Sequence, residues 1–122
     1  MKVTESMENY LETILMLSKT KPVVRSVDVA NELDFKKSSV SVAMKKLREQ
    51  GEITVTKEGY IYLTESGKEI ANMILERHEI ISGWLMSLGV SAETAMEDAC
   101  KIEHVISSES FNAIKKHLNI EK

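Results

Sequence analysis

Val27-Asp28-Val29-Ala30-Asn31-Glu32-Leu33, the link Asp34-Phe35-Lys36, and then Lys37-Ser38-Ser39-Val40-Ser41-Val42-Ala43-Met44-Lys45-Lys46-Leu47-Arg48-Glu49-Gln50 decide the fold. In the first segment Val27, Val29, Ala30 and Leu33 are the apolar positions of a short helix, and Ser26 before them suits an N-cap. In the second, Val40, Ala43, Met44 and Leu47 recur at spacings of three and four, the mark of one buried helix face, and Gly51 stops the helix. Two short helices joined by a turn of three or four residues predict a helix-turn-helix.

Working outward, residues 5–19 carry Met7, Tyr10, Leu11, Ile14, Leu15 and Leu17 on a near-helical stripe, with Glu5, Glu8, Asn9 and Glu12 off it. Lys19-Thr20-Lys21-Pro22 breaks that helix, because the residue before a proline disfavours helical geometry. Downstream, Glu52-Ile53-Thr54-Val55-Thr56 and Tyr60-Ile61-Tyr62-Leu63 alternate polar and apolar around Lys57-Glu58-Gly59, which predicts a hairpin. A hairpin directly after the second helix of such a pair is a wing. Thr64 then caps a long fourth helix ending near Leu88-Gly89, Ser91 caps a fifth over 92–106, and Ser107 or Ser108 caps a sixth reaching Leu118. The expected fold is mainly α: a winged helix-turn-helix over residues 1–64, followed by an all-helical domain over 65–122.

The composition is that of an ordinary soluble domain, with 43% hydrophobic and 29% charged residues, and no apolar run approaches the ~18 residues of a membrane span. The N-terminus, Met1-Lys2-Val3-Thr4-Glu5-Ser6, lacks an apolar signal core, so a cytoplasmic location is expected. A single cysteine excludes an internal disulfide. The net charge of −3 argues weakly against nucleic acid, but its distribution reverses the inference. Lys36, Lys37, Lys45, Lys46 and Arg48 fall in one stretch without an acidic residue, whereas Glu93 to Glu109 holds four Glu and one Asp against one Lys. The basic stretch suits phosphates and the acidic stretch suits a cation.

On the third helix Lys36, Lys37, Ser38, Ser39, Ser41, Val42, Lys45 and Lys46 lie off the apolar face. Ser and Lys near a helix N-terminus bind phosphates together with the backbone amides. The small serines let the helix sit deep in a major groove, and Val42 can touch a thymine methyl. No Arg or Gln stands in mid-helix, so phosphate contacts and DNA shape are expected to carry much of the affinity. Lys57 at the wing tip is expected to add a phosphate contact. Because one half-site binds weakly, a two-fold dimer on double-stranded DNA is expected.

Cys100, Glu103 and His104 stand at i, i+3 and i+4 in Ala99-Cys100-Lys101-Ile102-Glu103-His104, so a helix puts a thiolate, a carboxylate and an imidazole one turn apart. His78 in the fourth helix, and Asn9 with Glu12 in the first, are further candidate donors. Ligands drawn from both halves of the chain would let a cation favour one arrangement of the two, which is the basis of a switch.

Ser6-Met7-Glu8-Asn9-Tyr10-Leu11-Glu12, Ser38-Ser39-Val40-Ser41, Leu63-Thr64-Glu65-Ser66-Gly67, Arg77-His78 and Cys100-Lys101-Ile102-Glu103-His104-Val105 occur in that order. Together they resemble the diphtheria-toxin-repressor family, which includes iron-dependent repressors and manganese transport regulators. The resemblance runs from about Glu5 to Leu118. It implies a homodimeric repressor whose winged helix reads operator DNA when divalent metal is bound, with a helical dimer interface. For a chain ending at Lys122 it implies the short two-domain architecture of the manganese regulators.

Carried over position by position, the resemblance implies Asn9, Glu12, His78, Cys100, Glu103 and His104 as metal residues. Asn9 departs from the Asp of manganese members and the Met of iron members. Cys100 is similar to the iron-responsive pattern and Glu12 to the manganese pattern. Met96 and Ser82 replace a histidine and a glutamate of a second iron-type site. A thiolate softens the donor set, so Fe(II) is the expected ion and Mn(II) the second choice. The leading expectation is a metal-dependent transcriptional repressor, with neither a membrane nor a small organic substrate as partner. A winged-helix regulator with a degenerate effector site is the alternative. Cys100 with His104 as a hydrolytic pair lacks any evident oxyanion loop or orienting third group, so no enzyme is expected.

Overall fold

Glycine and short polar residues punctuate the chain, and the elements fall between them. The computed structural model describes residues 5–118. The stretch Met1-Lys2-Val3-Thr4 and the outer domain limits at residues 1 and 122 lie outside the described residues. The elements run α1 (Glu5–Ser18), α2 (Ser26–Leu33), α3 (Lys37–Glu49), β1 (Ile53–Val55), β2 (Ile61–Leu63), α4 (Glu65–Ser87), α5 (Ala92–Val105) and α6 (Ser108–His117). The chain divides into two compact units, one running to Asn72 and the other beginning at Met73, so the division falls inside α4.

In the first unit, α1 buries Tyr10, Leu11, Ile14 and Leu17, α2 buries Val29 and Ala30, and α3 buries Val40, Met44 and Leu47. With Val24, Ile53, Ile61 and Ala71 they make one apolar core. The turn between α2 and α3 closes on Asp34, whose left-handed backbone (φ 56°) lets its N–H donate to the Ala30 carbonyl. A short polar side chain tolerates that region better than most. The N-cap of α2 is Arg25, one residue before the expected Ser26. The reason is Asp28, whose Oδ2 accepts the Arg25 N–H at 2.9 Å, half of a capping box.

The strands pair antiparallel, with Ile53 opposite Leu63, Thr54 opposite Tyr62 and Val55 opposite Ile61. Gly59 turns the hairpin with φ 87°. The Leu63-Thr64-Glu65-Ser66-Gly67 motif is a buckle between the base of this wing and the start of α4. The Thr64 hydroxyl donates to the Gly51 carbonyl (2.7 Å) and accepts the Gly67 N–H (3.1 Å). The Ser66 hydroxyl meets the buried Glu52 carboxylate at 2.9 and 3.0 Å. A Cβ on Gly67 would lie 2.0 Å from the Glu52 carbonyl oxygen, so only glycine fits there.

The second unit packs the remainder of α4 with α5 and α6 around Ile81, Ala99 and Phe111, flanked by Ile80, Leu85, Ile102 and Ile106. Gly89 ends α4's turn at φ 100°, Ser91 caps α5 by accepting the Thr94 N–H, and Ser107 caps α6 by accepting the Ser110 N–H. This unit leaves Met73, Met86, Leu88, Met96 and Val105 exposed. No helix among the described residues is long and apolar enough to cross a membrane.

Candidate metal centre and nucleic-acid interface

On α5, Ala95, Ala99 and Glu103 follow one another at four-residue spacing, and all three are buried. The first two are small and apolar, whereas the third is a carboxylate with 0% exposure in a core position. A buried charge is costly unless it is paired, hydrogen-bonded or coordinated. Two imidazoles bracket this one: His78 Nδ1 of α4 lies 3.3 Å from Oε2, and His104 Nε2 lies 3.5 Å from Oε1. The His104 side chain is nearly as buried as Glu103. A carboxylate between two imidazoles suits a borderline first-row divalent cation, so the donor set fits the group implied by the sequence.

The backbone of Glu103 is held by its neighbour in the Arg77-His78 pair. Arg77 is buried on the α4 face that also buries Ile74 and Ile81. Its Nη1 donates to the carbonyls of Glu103 (3.1 Å) and Ile106 (2.8 Å), and its Nη2 to the Ser108 hydroxyl (3.3 Å). The guanidinium also lies over the Phe111 ring, 5.5 Å from its centroid. The last carbonyls of a helix have no intrahelical donor and carry partial negative charge, so a cation there satisfies both conditions. The Arg77-His78 motif by itself does not announce these contacts. The available signal was its place between Ile74 and Ile81 on the apolar stripe.

Cys100 is exposed. It borders a surface cavity with His78, Met96, Glu97 and Lys101, so His78 is shared between this cavity and the buried cluster. The structure thus brings His78, Glu103 and His104 together and sets Cys100 on the outer side of His78. Ser82 directs its hydroxyl to the Glu79 carbonyl of its own helix (3.3 Å). In the first unit, Asn9 and Glu12 are half-buried on α1, and the Asn9 carbonyl accepts the Thr13 hydroxyl at 2.8 Å.

The candidate DNA-reading residues Lys36, Lys37, Ser38, Ser39, Ser41, Val42, Lys45 and Lys46 are all exposed, as is Lys57 beside the hairpin turn. Val42, more than half exposed in the middle of α3, stands opposite the buried side formed by Val40, Met44 and Leu47. Lys36 caps α3 without a side-chain hydrogen bond to the first-turn amides. Arg48, from the same basic stretch, is exposed as well, and so is Arg25, which lies outside that stretch.

A winged helix-turn-helix with an exposed basic face on α3, joined to a helical unit in which a buried carboxylate lies between two imidazoles, defines an effector-controlled transcription regulator. Comparison with known proteins agrees. Residues 2–61 match the family model described as iron dependent repressor, N-terminal DNA binding domain, and residues 64–120 match iron dependent repressor, metal binding and dimerisation domain. An uncharacterized HTH-type transcriptional regulator of Methanocaldococcus jannaschii is 36% identical over 115 residues, covering 93% of this chain and 92% of that one. The HTH-type transcriptional regulator MntR of Bacillus subtilis is 35% identical over 111 residues, covering 91% of this chain and 78% of that one. The crystal structure of T. acidophilum IdeR superposes with a TM-score of 0.81 at 27% identity, covering all of this chain and 57% of that one. The chain belongs to the iron-dependent repressor family, in which its relatives are transcriptional regulators rather than enzymes.

Proposed function

We propose that the protein is a homodimeric, metal-activated repressor that binds operator DNA when loaded with a divalent transition metal. The observation that carries this reading is the Glu103 carboxylate, fully buried and bracketed by the imidazoles of His78 and His104. Glu103, His78 and His104 form the core of the proposed ligand set. Asn9 and Glu12 of the first unit and Cys100 on the rim of the neighbouring cavity are the further ligands implied by the family resemblance. A bound cation would neutralise the buried carboxylate and favour the one arrangement in which ligands from both domains are satisfied. Residues 1–64 form the proposed DNA-binding domain and 65–122 the proposed dimerisation and metal-binding domain. The exposed Leu88, Val105 and Met86 give the second unit the apolar surface that a second copy would cover.

Fe(II) is the proposed cognate ion and Mn(II) the second, because a thiolate at Cys100 adds a soft donor to imidazole and carboxylate. Operator DNA is held by Lys36, Lys37, Ser38, Ser39, Ser41, Val42, Lys45 and Lys46 on α3 and by Lys57 at the wing. The test is capture of genomic fragments by the full chain under anaerobic conditions with Fe(II), Mn(II), Zn(II) or chelator. Fragments retained with Fe(II) and lost with chelator are expected. Equal retention with metal and with chelator would refute metal control, and retention with Mn(II) alone would correct the cognate ion. Replacing Cys100 by Ser should shift preference from Fe(II) toward Mn(II), and an unchanged preference would remove the thiolate from the ligand set.

A further inference from the structure

Arg25 stands just before α2, and Tyr60 just before β2, the second strand of the wing. A backbone bond beside them, from the Ile61 N–H to the Val24 carbonyl at 2.8 Å, ties the hairpin to the segment preceding α2. Tyr60 is itself fixed: its N–H donates to the Thr56 hydroxyl (3.0 Å) and its carbonyl accepts the Thr56 N–H (2.9 Å). On this base the Arg25 guanidinium lies over the Tyr60 ring, 5.0 Å from its centroid, and Nη2 donates to the phenol oxygen at 3.4 Å.

Asp28, the nearby carboxylate, accepts the Arg25 backbone N–H and lies 3.8 Å from Lys21 Nζ. Arg25 is exposed, and its guanidinium has no carboxylate partner among the described residues. Ser26, the residue that follows Arg25, lines a groove together with Ser41, Met44, Lys45, Arg48 and Val55. An arginine stacked on an aromatic ring has already lost much of its rotamer freedom, and its remaining donors keep a fixed direction. The surroundings are cationic and hydroxylic, which is the environment of a phosphate diester.

We propose that Tyr60 is a positioning residue for DNA binding: it holds Arg25 so that one backbone phosphate is gripped beside the groove of Ser26, Ser41, Lys45 and Arg48, coupling the wing to the helix-turn-helix. This rests on the DNA-binding reading above. The wing then acts through its base as well as through Lys57 at its tip.

The test is fluorescence anisotropy of the metal-loaded full chain on a fluorescein-labelled duplex of mixed sequence, over a range of KCl concentrations. Arg25→Ala should make the salt dependence shallower by about one unit of slope. Tyr60→Leu should weaken binding about two- to fivefold and also flatten the slope, whereas Tyr60→Phe, which keeps the ring, should retain most of the affinity. The double variant Arg25→Ala/Tyr60→Leu should bind no more weakly than Arg25→Ala alone, because both remove one contact. Full additivity, or loss of affinity in Tyr60→Leu at unchanged slope, would overturn the proposal by making Tyr60 a wing-stability residue. An unchanged slope in Arg25→Ala alongside a flattened slope in Lys37→Ala would overturn it while leaving the DNA-binding reading intact. Failure of the folded wild-type protein to bind the duplex would overturn both.

Discussion

The two functional regions are built on opposite principles. The proposed recognition surface of α3 is a spread of exposed side chains around an apolar core that makes no chemical demand. The cluster on α4 and α5 is a few polar groups sunk where apolar side chains would ordinarily sit. Exposed charges act in high dielectric and contribute in small, nearly independent steps. Buried charges act strongly and together, because removing one partner leaves the others desolvated without compensation. The protein should therefore lose its response to metal at one substitution and its grip on DNA only by degrees.

That contrast is broken most severely at Glu103. Glu103→Ala or His104→Ala should abolish metal-stimulated DNA binding, a loss of about a hundredfold or more, while far-ultraviolet circular dichroism still reports a helical fold. A full metal response in either variant would remove the cluster from the account. One step out, Arg77→Met leaves the proposed ligands in place but strips the end of α5 of its donors. Metal affinity by chelator competition should fall about tenfold, with about 1–3 kcal/mol lost from thermal stability. Unchanged metal affinity would make Arg77 a purely structural residue.

The first unit has its own intolerant position. Gly67→Ala drives a methyl into the Glu52 carbonyl and should cost about 1–3 kcal/mol in a denaturation curve. The smallest effects belong to the DNA face. Lys37→Ala and Lys46→Ala should each weaken binding across all sequences and reduce the salt slope by about one. Unchanged slopes would place them outside the interface.

What could be read from the residues follows the same division. Local signals were legible. Gly51, Gly59 and Gly89 adopt the positive φ that marks the turns expected around them, and Thr64, Ser91 and Ser107 accept the amides that an N-cap should accept. The exposed face of α3 follows directly from its buried spacing. Signals set by tertiary packing were not legible. Spacing put Cys100, Glu103 and His104 within a turn, yet packing buries Glu103 and leaves Cys100 on the surface. Arg77 carried no local cue to the three groups it holds, because they lie 26 to 31 residues further along the chain.

Metal control of DNA binding is the claim on which the rest depends, and linkage gives it a direct test. If metal raises DNA affinity by some factor, DNA must raise metal affinity by the same factor. The decisive measurement is Fe(II) affinity by anaerobic chelator competition, with and without a saturating duplex selected for metal-dependent binding. The account predicts tighter metal binding in the presence of the duplex, by about fivefold or more. Identical metal affinity in the two conditions would contradict it.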